Sequence, residues 1–252
     1  MKRVSILIPA LLIALALGFV SCKKDANNTS GNSTLGIKIQ ALNKGYSLPV
    51  NNDGTKSASA VMASVLWDTA RMTVSSVKYE AELNSLVSHH DSIKISYEWR
   101  GPQDINLFDT NISIGNFILQ PGYYDQVEIN VQGLKHDAGN KPVFYLHGLY
   151  TMNDGTVLPI MVKVNETVNF KTEQDSVNVS ASEISDFTST IQLQLDKLMA
   201  DVLPAALDGA TVTDGVIIIS ENSNNELYRI IMRNLGRNHH CEHHHHHGNG
   251  HG

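Results

Sequence analysis

From Ser64 to Asp196 apolar and polar residues alternate with a period of two almost throughout. That period belongs to the β-strand, in which successive side chains point to opposite faces. "ARMTVSSVKYEAEL" sets Met72, Val74 and Tyr79 among polar neighbours, with a slip of phase at Ser75-Ser76 that predicts a bulge. "DSIKISYEW" places Ile93, Ile95, Tyr97 and Trp99 on one face, and "YDQVEINV" does the same with Val127, Ile129 and Val131. "VFYLHGLYT" is apolar on both faces and reads as a central strand. Asn153-Asp154-Gly155 then turns the chain into a hairpin with "TVLPIMVKV". "TVNFKT", "SVNVS" and "STIQLQLD" continue the series. Upstream, "LGIKIQAL" is a first strand, followed by a polar loop with the turn signal Asn52-Asp53-Gly54. Many short strands with no helices between them predict an antiparallel β-sandwich.

At Leu195 the period changes. Leu195, Leu198, Met199, Val202 and Leu203 form a helical stripe that Pro204 limits. "GVIIIS" is one more buried strand. Ser223 and Glu226 suggest a capping box for a second helix, whose apolar stripe is Leu227, Ile230, Ile231 and Leu235. Gly236 suits the position just past its end. The sequence therefore divides into residues 1–21, a tether at 22–34, a sandwich at 35–195, a helix-strand-helix extension at 196–236 and a histidine-rich, disordered tail at 237–252.

Lys2 and Arg3 precede an apolar run from Val4 to Val20. The run is near the lower length limit for a membrane span, and a positive start with an apolar core fits an export signal better. Phe19-Val20-Ser21-Cys22 resembles the lipobox of bacterial lipoproteins, and "SCKKD" resembles lipoprotein starts in Bacteroidota-type bacteria. The resemblance implies cleavage of the signal peptide before Cys22, lipidation of that cysteine and anchoring to the outer membrane. Whether the domain faces the periplasm or the surface stays open. "KKDANNTSGNST" has no hydrophobic period and reads as the flexible tether. Cleavage removes two positive charges from a chain whose net charge is already −6. That argues against nucleic acid as a partner, since phosphate binding needs a basic patch. Of two cysteines, only Cys241 stays free when Cys22 is lipidated, so no intrachain disulfide forms.

From Trp67 to Leu235 the chain resembles a group of uncharacterised surface lipoproteins from the same bacteria. The pieces that carry this are "WDTARMTVSSVKYEAE", "INLFD", "LQPGYYDQVEINV", "FYLHGLYTMNDGTVLPI", "IQLQLDKL" and "DGVIIISENSNNELYRII". The resemblance implies a transthyretin/Ig-like sandwich and a location, and it carries over no catalytic residues.

The familiar catalytic signatures are missing: no Gly-x-Ser-x-Gly elbow, His-Glu-x-x-His, phosphate-cradling glycine loop or Cys-x-x-Cys. We therefore expect no enzyme. His89 and His90, beside Asp91, offer two ligands with no third nearby, and adjacent residues on extended chain point apart. His136, beside Asp137, reads as solvent-facing, and His147 as a hydrogen-bonded residue of its strand. Arg229, Arg233 and Arg237 read as a solvated helix face. Trp67, Trp99, Tyr123 and Tyr124 could stack on a sugar, but read more simply as core. Asp68-Thr69-Ala70, Asp91-Ser92-Ile93 and Asp175-Ser176-Val177 resemble O-glycosylation acceptors of these bacteria, making Thr69, Ser92 and Ser176 candidate sites.

The tail holds eight of the twelve histidines. They come as two, five and one, interrupted by Cys241-Glu242 and Gly248-Asn249-Gly250, a pattern that favours a native tail over a purification tag. His239, His240, Cys241, His243, His244, His245, His246, His247 and His251 are candidate ligands for Zn²⁺, Ni²⁺ or Cu²⁺. No cofactor is expected to be needed for folding. The resulting expectation is a non-enzymatic, outer-membrane-anchored lipoprotein that captures or buffers metal through its tail. The alternative is a surface adhesion or glycan-binding sandwich, partnered by a surface glycan or protein, with an incidental tail.

Overall fold

A computed structural model of the chain describes residues 32–48, 62–84, 92–135, 141–174, 176–236 and 240–242. Cys22, His89, His90, His136, His239, His243 to His247 and His251 lie outside the described residues.

Two strands, β1 (Ser33–Leu42) and β2 (Gly45–Ser47), precede the 21-residue β3 (Ser64–Asn84). Then come β4 (Ser92–Asn106), β5 (Ile114–Leu119), β6 (Gly122–Gly133), β7 (Phe144–Thr151) and β8 (Val157–Val164). β9 (Val168–Gln174), β10 (Val177–Val179) and β11 (Asp186–Gln194) follow. The extension holds α1 (Leu195–Leu198), α2 (Pro204–Asp208), β12 (Val212–Thr213), β13 (Val216–Ile219) and α3 (Asn225–Leu235). A last strand, β14, covers His240–Glu242.

The architecture is mainly β, in two sheets. The smaller runs β14-β11-β1-β5. The larger runs β10-β6-β3-β7-β8-β13-β12, with β2 and β4 also on β3 and β9 also on β6. β3 is long enough to serve two neighbours on each edge. β7 pairs with its first part and β6 with its last, while β2 and β4 take the other edge. Alternation gives each strand one inward face: Leu35, Ile37, Ile39 and Ala41 of β1 are buried, and so are Phe144, Leu146 and Tyr150 of β7. The larger of these, such as Leu35, Ile37, Ile39, Phe144 and Leu146, each contribute about 1.5–3 kcal/mol by leaving water, an upper figure that assumes a fully exposed unfolded chain.

β7 lies between β3 and β8, as its two apolar faces foretell, and Asn153 to Gly155 turn the β7–β8 hairpin. The Ser75-Ser76 slip is a register shift between Val74 and Ser76. A second shift, between Trp67 and Thr69, has no mark in the pattern. Gly148 faces it, and a Cβ there would run into the Leu66 carbonyl and come within 2.8 Å of Trp67 Cα. Only glycine lets the two backbones approach so closely.

Two pairings depart from the antiparallel expectation. β1 lies parallel to β11, and β8 parallel to β13, so the strand orientations are mixed. Parallel neighbours need a long crossover. Most of the chain separates β1 from β11, and the stretch from β9 to β12 separates β8 from β13. The Pro121-Gly122 turn carries the chain from one sheet to the other, because β5 and β6 belong to different sheets.

The helix expected near 196–203 ends already at Leu198, and a second short helix follows from Pro204. α1 ends in a turn that includes Asp201 at φ 68°, and α2 begins with Pro204 as its first residue. Pro204 forces the preceding Leu203 into extended backbone, so the helix cannot run through it. The stripe is still used: Leu195, Leu198, Met199 and Val202 are buried. From α3, the buried Asn234 donates to the carbonyls of Leu198 (3.1 Å) and Ala200 (2.6 Å), satisfying orphan groups where α1 ends. The capping box at Ser223 and Glu226 does not form. Asn224 is the cap, in the left-handed region, and its side chain goes to the backbone of Thr211 and Ile218 instead. Gly236 sits at the expected helix end but with φ −72°, so its conformational freedom is not used.

Candidate functional site

Where β7, β3 and β4 lie side by side, their outward residues gather polar groups. Tyr145 is opposite Arg71, and Arg71 is opposite Asn106; one step along, Thr73 faces Asp104. The residues Arg71, Thr73, Asp104, Lys141, Pro142 and Tyr145 line a half-open groove of about 360 Å³. Asp104 accepts a hydrogen bond from Thr73 Oγ1 (2.6 Å) and pairs with the Lys141 ammonium. Arg71 is exposed and forms no ion pair among the described residues. Burial pushes the Tyr145 phenol above its ordinary value, Asp68 adds to the push, and Arg71 opposes it. Tyr145 is therefore a neutral donor at pH 7, beside a guanidinium that can take two oxygens of one carboxylate.

One pair further along β7, the His147 imidazole Nδ1 lies 2.9 and 3.0 Å from the two Asp68 oxygens. The reading of His147 as a hydrogen-bonded strand residue agrees with this, although the ring is about a third exposed. Desolvation works to raise the Asp68 pKa, but hydrogen bonds from His147 and Thr69 outweigh it and hold the carboxyl below its ordinary value. The Thr69 hydroxyl donates to Asp68 (2.8 Å) rather than to the imidazole. A carboxylate and a histidine are thus together, and among the described residues no serine, threonine or cysteine is hydrogen-bonded to the imidazole, the contact a triad needs.

Sequence reasoning missed the groove. Its reading of β4 stopped at Trp99, whereas the strand runs on to Asn106 and brings Asp104 alongside Thr73. Arg71 and Thr73, two residues apart on one face of a central strand, were the available signal.

The other candidates scatter. Thr69 is half-buried within the sheet, Ser176 is half-buried with its Oγ 3.4 Å from Asp125 Oδ1, and Ser92 is exposed at the start of β4. Asp91 and Asp175, which complete two of those motifs, lie outside the described residues. Trp67 is buried and donates to the Tyr46 hydroxyl (3.1 Å), and Tyr124 is buried and donates to the Gln120 carbonyl (2.8 Å). Those two are core; Trp99 is half-buried and Tyr123 is 40% exposed, so the four form no common platform. Arg229 pairs with Glu226 and Arg233 with Asp201, and Arg237 lies outside the described residues.

Of the tail, His240–Glu242 is not structureless: it adds to the edge of the smaller sheet, with Cys241 opposite Ile191 of β11. Among the described residues no three His, Cys, Asp or Glu side chains are grouped to hold a metal ion, and no helix is long and apolar enough to cross a membrane. No family model, curated protein or solved structure matches the chain.

Proposed function

We propose that the protein is exported, anchored by a lipid on Cys22 to the outer membrane, and acts without catalysis, capturing or buffering transition metal through its tail. The observation that carries this reading is ligand density. His239, His240, Cys241, His243, His244, His245, His246 and His247 fall within one short stretch, and elsewhere the chain offers no more than the adjacent pair His89-His90. Neutral imidazoles bind Zn²⁺, Ni²⁺ and Cu²⁺, and a thiolate favours the softer ions. Pairing of β14 with β11 supports the reading by fixing the chain at the start of the histidine run.

The test is calorimetric titration of the full chain and of a chain lacking residues 243–252, which keeps β14. The full chain should bind, more weakly as pH falls below the imidazole reference of about 6.5, and the truncation should lose most of that binding. Equal binding by both would overturn the tail as the metal site. For the anchor, Cys22→Ala should leave the membrane fraction and lose acyl labelling; unchanged partitioning would overturn it.

The groove favours a second reading, a sandwich that binds a surface glycan. Arg71, Tyr145 and Thr73 could grip a carboxylated sugar by charge, stacking and hydroxyl contact. Arg71→Ala should abolish retention on an acidic glycan array without changing metal binding; retention unchanged would sink this reading.

A further inference from the structure

Sheet edges are where a β protein is open to another chain, and folded proteins keep them short, bulged, covered or charged. Most edges here obey. β10, β12 and β14 are three residues or fewer. β5 has six residues, with Gly115 in the left-handed region. β4 does not obey. It pairs with β3 on one side, and among the described residues no strand pairs with its other side. From Ser92 to Arg100 its register against β3 runs without a break, and both the bulge at Val74/Ser76 and Pro102 lie beyond that stretch. Its inward face is incompletely covered: Ile93 is 65% exposed, and Ile95, Tyr97 and Trp99 are half-buried. Its outward face carries Lys94, with 88% of its side chain exposed, then Ser96, Glu98 and Arg100.

This edge is complementary to itself. When two copies of β4 lie antiparallel about a two-fold axis through Ser96, Lys94 of each stands opposite Glu98 of the other. Ile93 then meets Trp99, Ile95 meets Tyr97, and Ser96 meets Ser96. Opposite charges and apolar pairs directly across a ladder each contribute, and like charges there are unfavourable. The neighbouring registers fail this test. An axis through Tyr97 puts Lys94 against Arg100, an axis through Glu98 puts Glu98 against itself, and an axis through Ile95 leaves Lys94 against Ser96.

We propose that the β4 edge is a homodimer interface, with β4 of two copies paired antiparallel about Ser96 so that the two larger sheets become one continuous sheet. The symmetry is isologous, so the assembly closes at two copies and does not grow into a fibre. The charged outward row then does two things at once. It discourages pairing in other registers and rewards pairing in this one.

The experiment uses the full chain with Cys22→Ser and Cys241→Ser, so that both native thiols are removed. Adding Ser96→Cys places two thiols across the axis, within the Cα separation of about 4.4–6.8 Å that a disulfide spans. Mild oxidation should give a covalent dimer on a non-reducing gel. Lys94→Cys is the control: in this register its two copies stand about 14 Å apart along the strands and should not cross-link. Separately, sedimentation of the otherwise unsubstituted chain should show concentration-dependent dimers. Lys94→Glu sets a new carboxylate against Glu98 of the other copy, twice per dimer, and should weaken association by at least about tenfold. Lys94→Glu combined with Glu98→Lys should restore it. Cross-linking at Ser96→Cys but not Lys94→Cys supports the proposal even where a charge variant folds poorly. A monomer at the highest soluble concentration would overturn it. So would equal cross-linking at the two positions, or dimers indifferent to Lys94→Glu.

Discussion

β7 and β4 run antiparallel to the same strand, each turn alternate side chains inward, and end in different circumstances. β7 has β3 on one edge and β8 on the other, and Phe144, Leu146 and Tyr150 are buried without measurable exposure. β4 has β3 on one edge only, and the residues on its inward face from Ile93 to Trp99 are partly or largely open to water. Alternation therefore tells which face of a strand looks inward. Alternation alone does not tell whether anything lies beyond the strand; in β7 it was the apolar residues on the outward face as well, Tyr145 and Leu149, that marked a central strand.

The largest expected effect separates the two strands directly. Leu146→Ala removes a fully buried side chain from the middle of the larger sheet and should cost about 3 kcal/mol. Ile93→Ala, on the open edge, should change the stability of the isolated chain by less than about 0.5 kcal/mol. Chemical denaturation of both, below any dimer concentration, measures this. Equal costs would break the comparison and mean that β4 is covered after all.

Next in size is Gly148→Ala, which should cost about 2 kcal/mol, because the new methyl meets the Leu66 carbonyl and neither backbone can yield without losing ladder bonds. A loss this large from adding one carbon, at a glycine flanked by His147 and Leu149, would sharpen the view of β7 as clamped on both edges. A neutral result would show that the bulge at Trp67/Thr69 relaxes freely.

Tyr150→Phe is smaller. The phenol donates to Asp208 (2.7 Å) and lies 3.3 Å from the Pro204 carbonyl, tying β7 to α2. Asp208 can turn to water when the hydroxyl is gone, so the expected cost is about 1 kcal/mol. Thermal unfolding measures it, and no change would mean that α2 is held by Leu207 and the apolar contacts alone.

What the sequence disclosed follows the same division. The central place of β7, its hairpin with β8, the Ser75-Ser76 bulge and the buried stripe at Leu195 were legible, since each is a local pattern with a local cause. The parallel partners of β1 and β8 were not, because nothing in the alternation of Ile37 and Ile39 names the strand beside it. β2, β5 and β12 are too short or too broken by glycine to show a period. The groove was hidden for a related reason: Thr73 and Asp104 meet only through the β3–β4 register, and no motif spans them. Asn224 was passed over for the Ser223-Glu226 pattern, because its side chain answers to Thr211 and Ile218 and not to its own helix.

The smallest effect compares the outward rows of the two strands. β7 sets His147 against Asp68, whereas β4 sets Glu98 beside Arg100 within its own strand (2.8 Å). The His147–Asp68 pair is largely exposed, so it should contribute no more than about 0.5 kcal/mol. In both pairs the carboxyl is held below its ordinary value. Hydrogen bonds from His147 and Thr69 hold the folded Asp68 below its ordinary value against desolvation, and in the unfolded chain that value is near 3.9. A carboxyl lowered on folding adds stability that is complete above the unfolded value and disappears as pH falls through the folded one. Wild-type chain should therefore exceed Asp68→Asn by a few tenths of a kcal/mol at pH 7, keep that margin to about pH 5, and lose it as pH falls through the folded value. Urea unfolding of the two proteins at pH 7, 5 and 3.5 follows the margin. A margin that widened as pH fell would mean that Asp68 is held against its ordinary tendency to ionise, and that desolvation, not His147, governs the outward row of β7.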